Sequence, residues 1–166
     1  MNDINVNNSK ILFCLTSTND CGKTHVIRNL YDLFKKNNIS FKSTLYSTID
    51  SNFSDIFTIQ INHKEIFVGI LSAGDDDTII NNELKKFIKC DYIICASKTK
   101  ESTRNEIENF ANKNKFILRQ INKSYFWETN ETQKYGKISD KEIDTFNEHY
   151  SVFLYSLIND YLNGKI

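Results

Sequence analysis

The chain has 166 residues, of which 40% are hydrophobic, and 21 basic and 21 acidic side chains give it a formal net charge of zero. This length suits a single domain. The absence of a basic excess argues against a general nucleic-acid binder. No apolar run approaches the ~20 residues that a membrane-spanning helix needs. An aromatic fraction of 13% supplies large side chains for a core, so intrinsic disorder is not expected.

The residues that open the chain, MNDINVNN, contain neither a basic region nor an apolar stretch, and so do not resemble a signal peptide. Four cysteines in a chain without an export signal are expected to stay reduced. We therefore expect a cytoplasmic protein that folds as one domain over residues 1–166, with residues 1–9 flexible.

The first half of the chain alternates between strand and helix patterns. Residues 11–16, ILFCLT, form a short apolar run typical of a strand buried on both faces. After a polar loop, apolar residues recur at helical spacing from Val26 to Phe34, and this helix should end near 37–38. A weaker strand pattern covers 41–48. Two β-rich runs at 55–61 and 65–71, separated by Asn62-His63-Lys64, predict a hairpin.

The second half continues the alternation. The apolar residues Ile80, Leu84, Phe87 and Ile88 mark a helix, and residues 92–96 a buried strand. The capping-box spacing of residues 103–106 opens another helix, and residues 116–121 form a further strand. A second capping box at 139–142 opens a long aromatic-rich helix over 139–163, with Gly164 as its stop signal.

This order of elements predicts an α/β fold. Strands that alternate with helices form a mostly parallel sheet covered on both faces. We therefore expect a three-layer α/β/α domain with a mostly parallel sheet and one inserted β-hairpin.

The strongest motif is Ser17-Thr18-Asn19-Asp20-Cys21-Gly22-Lys23-Thr24, which lies between the first strand and the first helix. The phosphate-binding loop pattern is G-x-x-x-x-G-K-[ST] in this same setting, and Ser17 stands here in place of the first glycine. Backbone N–H groups of such a loop converge on phosphate oxygens at the positive end of the helix dipole.

In this motif and its strand–loop–helix setting, the chain resembles the P-loop NTPases, without matching one subfamily; its size suits a small kinase. The resemblance implies that residues Ser17 to Thr24, together with His25, hold the phosphates of ATP or another nucleoside triphosphate. Lys23 would reach the β- and γ-phosphates, and the Thr24 hydroxyl would bind Mg²⁺.

A second predicted element is the acidic segment after the strand at 65–71. In P-loop proteins, an acidic residue at the end of a neighbouring buried strand helps to hold Mg²⁺ or to orient a nucleophile. Asp75 is the leading candidate among Asp75, Asp76 and Asp77, for both a metal and a catalytic role. The alternative is that these residues cap the helix that follows, where negative charge is favourable.

Basic residues after the strand at 92–96 form a third element. We expect this loop at the same edge of the sheet as the phosphate loop, where Arg104 or Lys98 could stabilise the transferring phosphoryl group. The alternative is a solvated basic first turn. Further along, Asn122-Lys123-Ser124-Tyr125 matches the guanine-reading N-K-x-D motif except that Tyr125 replaces the aspartate, which argues against specificity for GTP.

Two classes of function remain. The first is a Mg²⁺-dependent NTPase or a kinase that transfers the γ-phosphoryl group of ATP to a small-molecule acceptor. The second is a nucleotide-binding regulatory or adaptor subunit with little turnover, which acts on a protein partner. Its contact surfaces would be the hairpin at 55–71 and the aromatic C-terminal helix, which could also form a homodimer interface. The leading interpretation of this helix, however, is that it covers the core.

Overall fold

The computed structural model describes residues 9–17, 22–49, 52–74, 76–98, 101–123 and 140–166. These residues form seven strands and four helices. In chain order they are β1 (Lys10–Ser17), α1 (Lys23–Asn37), β2 (Lys42–Ser43), β3 (Ser47–Ile49), β4 (Asn52–Ile61), β5 (Lys64–Leu71), α2 (Asp77–Lys86), β6 (Tyr92–Lys98), α3 (Glu101–Asn114), β7 (Phe116–Asn122) and α4 (Asp140–Leu162).

The strands make one mixed sheet in the order β2-β4-β5-β6-β1-β7, with β3 also paired to β4. β1 runs parallel to both β6 and β7, and β5 runs parallel to β6. β4 is antiparallel to β2, β3 and β5. Among the described strands, therefore, only β4 runs against the others, which confirms the prediction of a mostly parallel sheet with an antiparallel hairpin.

Apolar side chains cover both faces of the sheet. One core cluster joins β1, β4, β5 and β6 to α1 and α4, with Leu30, Phe34 and Leu154 among its fully enclosed members. The other cluster joins the opposite sheet face to α2 and α3 through residues such as Leu84, Phe87 and Ile107. Because alternate residues of a strand point to opposite faces, Phe13 enters the first cluster while Leu12 and Cys14 enter the second. The three-layer arrangement is thus confirmed.

The predicted hairpin is β4 and β5, and its turn is tighter than the sequence suggested. Ile61 pairs with Lys64, so the loop consists of Asn62 and His63 alone. Both residues have positive φ angles, 51° and 65°. Two-residue hairpin loops favour this conformation because it matches the twist of the flanking strands. The weaker strand predicted over 41–48 is divided into the short strands β2 and β3.

Helix boundaries differ from the predictions at two places. Ile88 lies beyond the end of α2 and is 42% exposed, so it does not belong to the buried face of that helix. α3 begins at Glu101, which places Thr103 inside the helix rather than at its cap; its side chain is buried. A capping-box spacing is a local signal, and here burial of Thr103 in the fold overrides it.

The end of α4 follows the prediction. The helix runs to Leu162, and Gly164 has a φ of 65°. The N–H of Gly164 donates to the carbonyl of Tyr161 at 3.1 Å, and the N–H of Lys165 donates to that of Asp160 at 2.9 Å. This pair of bonds is the usual way in which a left-handed residue closes a helix. Ser139, the predicted cap at the other end, lies outside the described residues.

A buried polar pair crosses the α1 side of the core. The Tyr31 hydroxyl of α1 donates to Asp55 Oδ2 of β4 at 2.9 Å, and the Leu45 N–H donates to Asp55 Oδ1 at 3.2 Å. Asp55 is 0% exposed. Burial, then the hydrogen bond to Asp55 and its charge, raise the pKa of Tyr31 well above its ordinary value of 10.0. The pair therefore fixes the position of α1 over β4.

Replacing Tyr31 with Phe should destabilise the fold by about 1–3 kcal/mol, because one oxygen of the buried Asp55 carboxylate loses its donor. Urea unfolding measures this loss. Tyr46→Phe is the matched control, since Tyr46 belongs to the same aromatic cluster but is 55% exposed. The control should change the free energy of unfolding by less than about 0.5 kcal/mol. Equal effects of the two changes would contradict this account.

The same pair sets an alkaline limit to stability. The folded state keeps the Tyr31 proton at a pH where the unfolded chain releases it, because the folded pKa is raised above 10.0. The contribution of protonated Tyr31 to the free energy of unfolding is fully present below about pH 10. It is lost as the pH rises through the pKa of Tyr31 in the folded state. The stability difference between the wild type and Tyr31→Phe should therefore shrink above pH 10.

Candidate functional site

The candidate site lies where the parallel strands end. The carboxyl ends of β5, β6, β1 and β7 lie along one edge of the sheet, because these four strands run in the same direction. Ligands of open α/β sheets collect at this edge. The predicted motif residues Gly22, Lys23 and Thr24 lie here, at the point where α1 begins.

Gly22 is the residue that turns the chain into α1. It has φ 70° and ψ 26°, the left-handed conformation, and it occupies the N-cap position of the helix. The first backbone N–H groups of any helix have no acceptor within the helix. α1 has no acidic residue in its first turn, and its cap residue has no side chain to supply an acceptor. Within the part of the chain that the structure describes, therefore, neither the cap residue nor the first turn supplies α1 with a carboxylate.

α2 begins in the opposite way. Its N-cap is Asp76, whose carboxylate accepts hydrogen bonds from the N–H groups of Thr78 at 2.8 Å and Ile79 at 3.0 Å. Asp77 adds a second negative charge in the first turn. For Asp76, the structure therefore supports the capping interpretation. Asp75 lies outside the described residues, and its predicted metal role stays a prediction.

Lys23 and Thr24 are the first two residues of α1, and the side chain of each is in contact with the rest of the protein. Lys23 is 7% exposed, so its side chain lies within the protein rather than in solvent. The Thr24 hydroxyl lies 3.2 Å from Asn52 Oδ1 and 3.5 Å from the Ser72 carbonyl oxygen. These two partners belong to the beginning of β4 and to the segment just after β5. Thr24 therefore contacts the start of the segment after β5 in which the sequence predicts the acidic residue of the site, Asp75.

β5 is not the direct neighbour of β1, since β6 lies between them. α1 nevertheless brings the residues after β1 close to those after β5, because Thr24 at its start contacts Ser72. The segment after β5 is drawn against β6 as well: the Lys98 N–H donates to the Gly74 carbonyl at 3.0 Å. A Cβ on Gly74 would lie only 2.8 Å from the Ala96 carbonyl carbon, so this close approach requires glycine.

Asn52 and Ser72 were not predicted as site residues. Ser72 Oγ lies 3.5 Å from Asn52 Oδ1 and accepts from the Phe53 N–H at 2.8 Å. This buried hydroxyl joins the start of β4 to the residue after β5, while Thr24 of α1 contacts the carbonyl oxygen of the same serine. Thr24 lies 28 residues from Asn52 and 48 from Ser72. The only local signal was that Ser72 directly follows the apolar residues of a buried strand.

Arg104 forms an ion pair within α3. On α3, its Nε donates to Glu108 Oε1 at 2.8 Å, and Gln120 Nε2 of β7 donates to the same oxygen at 2.9 Å. These two bonds, Arg104 first, lower the pKa of Glu108. The described contacts of Arg104 are therefore those of an exposed intrahelical ion pair, and contact with a phosphate stays a prediction.

His25 pairs with the C-terminal helix. Its Nδ1 lies 3.5 Å from Asp144 Oδ1 of α4, and both side chains are partly exposed. The remaining predicted binding residues, Thr18, Asn19, Asp20 and Cys21, lie outside the described residues. Ser17 ends β1.

Within the described ranges, no group of three or more His, Cys, Asp or Glu side chains is placed to hold a metal ion. In the same part of the chain, none of the helices is both long enough and apolar enough to cross a membrane.

No family model matches the chain, and no curated protein matches it. The crystal structure of APE1195 is similar over 92% of this chain and 96% of its own, at 16% identity and a TM-score of 0.46.

Gly22 should tolerate no side chain. A Cβ at this position would lie 2.5 Å from Asn147 Nδ2, in addition to the cost of a left-handed φ. Gly164→Ala is the matched control, because Gly164 has a similar φ of 65° but is exposed. We expect Gly22→Ala to lower the free energy of unfolding by about 1–3 kcal/mol more than Gly164→Ala does. Equal losses in thermal unfolding would exclude the steric conflict.

Proposed function

We propose that this protein binds a Mg²⁺–nucleoside triphosphate, ATP in the first instance, and transfers the γ-phosphoryl group to water or to a small-molecule or nucleotide acceptor. The observation that carries the proposal is the start of α1: left-handed Gly22, then Lys23 and Thr24, at the carboxyl end of β1, which is paired with β6 and β7 on its two sides. This is the setting in which the Ser17–Thr24 pattern binds phosphate in the P-loop NTPases that the chain resembles.

The start of α1 suits an anion for electrostatic reasons. Unsatisfied N–H groups and the helix dipole give this end a partial positive charge, and Lys23 adds a full one. No acidic side chain in the first turn of α1 competes for these groups. A triphosphate placed here would receive hydrogen bonds from fixed donors, which need little rearrangement when charge develops on the transferring phosphoryl group.

The oxygen atoms around Thr24 fit a magnesium ion. Mg²⁺ prefers hard oxygen ligands and usually takes few from the protein when it binds with phosphates. Asn52 Oδ1 and the Ser72 carbonyl oxygen lie 3.2 Å and 3.5 Å from Thr24 Oγ1, and these three oxygens would form such a set. When bound, the ion neutralises phosphate charge. Asp75, three residues after Ser72, would support this side of the site, and Lys98 or Arg104 would complete the charge on the other side.

An adaptor that binds nucleotide without rapid turnover is the second candidate. Val152 and Phe153 on α4 are 52% and 55% exposed, on the same helix whose Asp144 pairs with His25 of α1. Such a helix could pass the state of the site to a protein partner or a second copy. Single-turnover reactions with Mg²⁺-ATP, with and without candidate acceptors, separate the two: phosphate release or transfer favours the enzyme, and tight binding without product favours the adaptor.

Lys23→Ala should weaken Mg²⁺-ATP binding at least about tenfold, because a charge-assisted hydrogen bond of about 1.5–3 kcal/mol is lost. Titration calorimetry measures the affinity, and circular dichroism checks the fold. Lys35→Ala, an exposed position on the same helix, is the control and should bind as the wild type does. A folded Lys23→Ala protein with wild-type affinity and turnover would contradict the phosphate assignment.

Asp75→Asn should reduce the rate of phosphoryl transfer more than the affinity. We expect a loss of about tenfold or more in kcat with a change in Kd below about threefold, because the carboxylate acts on the metal side of the transition state. Asp77→Asn, in the first turn of α2, is the control for lost negative charge in this segment. Unchanged kcat in Asp75→Asn would remove this residue from the mechanism.

A further inference from the structure

The two ends of the segment that joins β1 to α1 contact two residues, Lys123 and Asn147, that are hydrogen-bonded to each other. At its first end, the Lys123 N–H donates to the Thr16 carbonyl at 2.8 Å, and the Thr16 hydroxyl donates to Asn122 Oδ1. At its other end, the carboxamide of Asn147 lies against Gly22. Lys123 Nζ donates to Asn147 Oδ1, which joins the two ends.

The contact with Gly22 is close. A Cβ built on Gly22 would lie 2.5 Å from Asn147 Nδ2 and 3.1 Å from both Cγ and Oδ1. The amide of Asn147 therefore occupies the space beside the Gly22 Cα. Its orientation is set by chemistry, because a lysine ammonium only donates and so must face the amide oxygen. The Nδ2 donor consequently faces Gly22.

Lys123 and Asn147 are among the most enclosed polar residues of the described chain, at 3% and 1% exposure. The Lys123 ammonium also lies 5.7 Å from the centre of the Phe146 ring. Burying a lysine and an amide is unfavourable unless their polar atoms are satisfied, so this pair holds one arrangement strongly.

α4 supports the pair along one stripe. Asp144, Asn147 and Ser151 are spaced three and four residues apart, and so share a helix face. Asp144 pairs with His25, and the Ser151 hydroxyl lies 3.3 Å from the Val26 carbonyl and 2.6 Å from that of Asn147. α4 therefore contacts the start of α1 at three residues, Gly22, His25 and Val26.

We propose that Asn147 is a positioning residue of the phosphate loop, a role that rests on the proposed function. It holds Gly22 in place and is hydrogen-bonded to Lys123, whose N–H donates to the Thr16 carbonyl. α4 and the end of β7 thereby set the distance between the two ends of the loop. A neutral amide is required here. A carboxylate would also accept from Lys123, but it would put a negative charge beside the residue where the triphosphate is bound.

The test compares two replacements of Asn147 that separate positioning from packing. Asn147→Asp keeps an acceptor for Lys123 and nearly the same shape, whereas Asn147→Leu removes the polar contact. Asn159→Asp and Asn159→Leu are the matched controls, on the same helix but roughly 18 Å further along its axis. Mg²⁺-ATP affinity is measured by calorimetry, and hydrogen exchange of the amides of residues 22–26 is measured without nucleotide.

Asn147→Leu should speed exchange of the 22–26 amides at least about tenfold and weaken ATP binding at least about tenfold. Asn147→Asp should keep wild-type exchange and thermal stability, yet also bind ATP at least about tenfold more weakly, with the loss reduced at high salt. A merely structural role would let Asn147→Asp restore affinity together with stability. Wild-type affinity in Asn147→Asp, or unchanged exchange in Asn147→Leu, overturns the proposal.

The two proposals fail in different ways. If the wild type binds no nucleotide, the proposed function fails, while the exchange of Asn147→Leu still decides whether Asn147 holds the segment. If the wild type binds Mg²⁺-ATP and both Asn147 variants bind equally well, the proposed function stands and the positioning role falls. If Asn147→Leu does not fold, the affinity of Asn147→Asp decides.

Discussion

β1 is paired along its length with β6 on one side and β7 on the other, and residues 11–15 are buried on both faces. A strand enclosed in this way can place chemistry only at its ends. Its carboxyl end leads to Gly22, whose left-handed conformation reverses the chain into α1. The location of the candidate site is therefore a consequence of how the sheet is paired.

The helices that flank this edge show how a few side chains decide what a helix start can bind. α2 satisfies its own N–H groups with the Asp76 carboxylate, so its positive end is already neutralised. α1 begins with glycine and lysine and has no acid in its first turn. The same backbone geometry is thus used once to stabilise the fold and once, in the function proposed here, to receive an anion.

Some buried polar groups stabilise the fold, and others support the candidate site. Tyr31 and Asp55 fix α1 over β4 in the middle of the core. Lys123 and Asn147 are equally enclosed but lie at the carboxyl edge, where they join β7 and α4 to the start of α1. Buried polar pairs of this kind contribute more to a unique geometry than to net stability. α4 thereby becomes part of the site's support as well as a cover for the sheet.

Strands 11–16, 92–96 and 116–121, the hairpin and the Gly164 helix end were all predictable, because apolar runs and turn residues act over a few neighbours. The segment Gly22-Lys23-Thr24 was found for the same reason. The cap position at Thr103 was wrong, since burial in the fold overrode a local spacing. The meeting of Thr24 with Asn52 and Ser72, and of Gly22 with Asn147, joins residues far apart in the chain. Local residue patterns thus specify the elements and the residue types at the start of α1. The neighbours of these residues depend on strand order and helix packing, which are fixed by burial of the whole core.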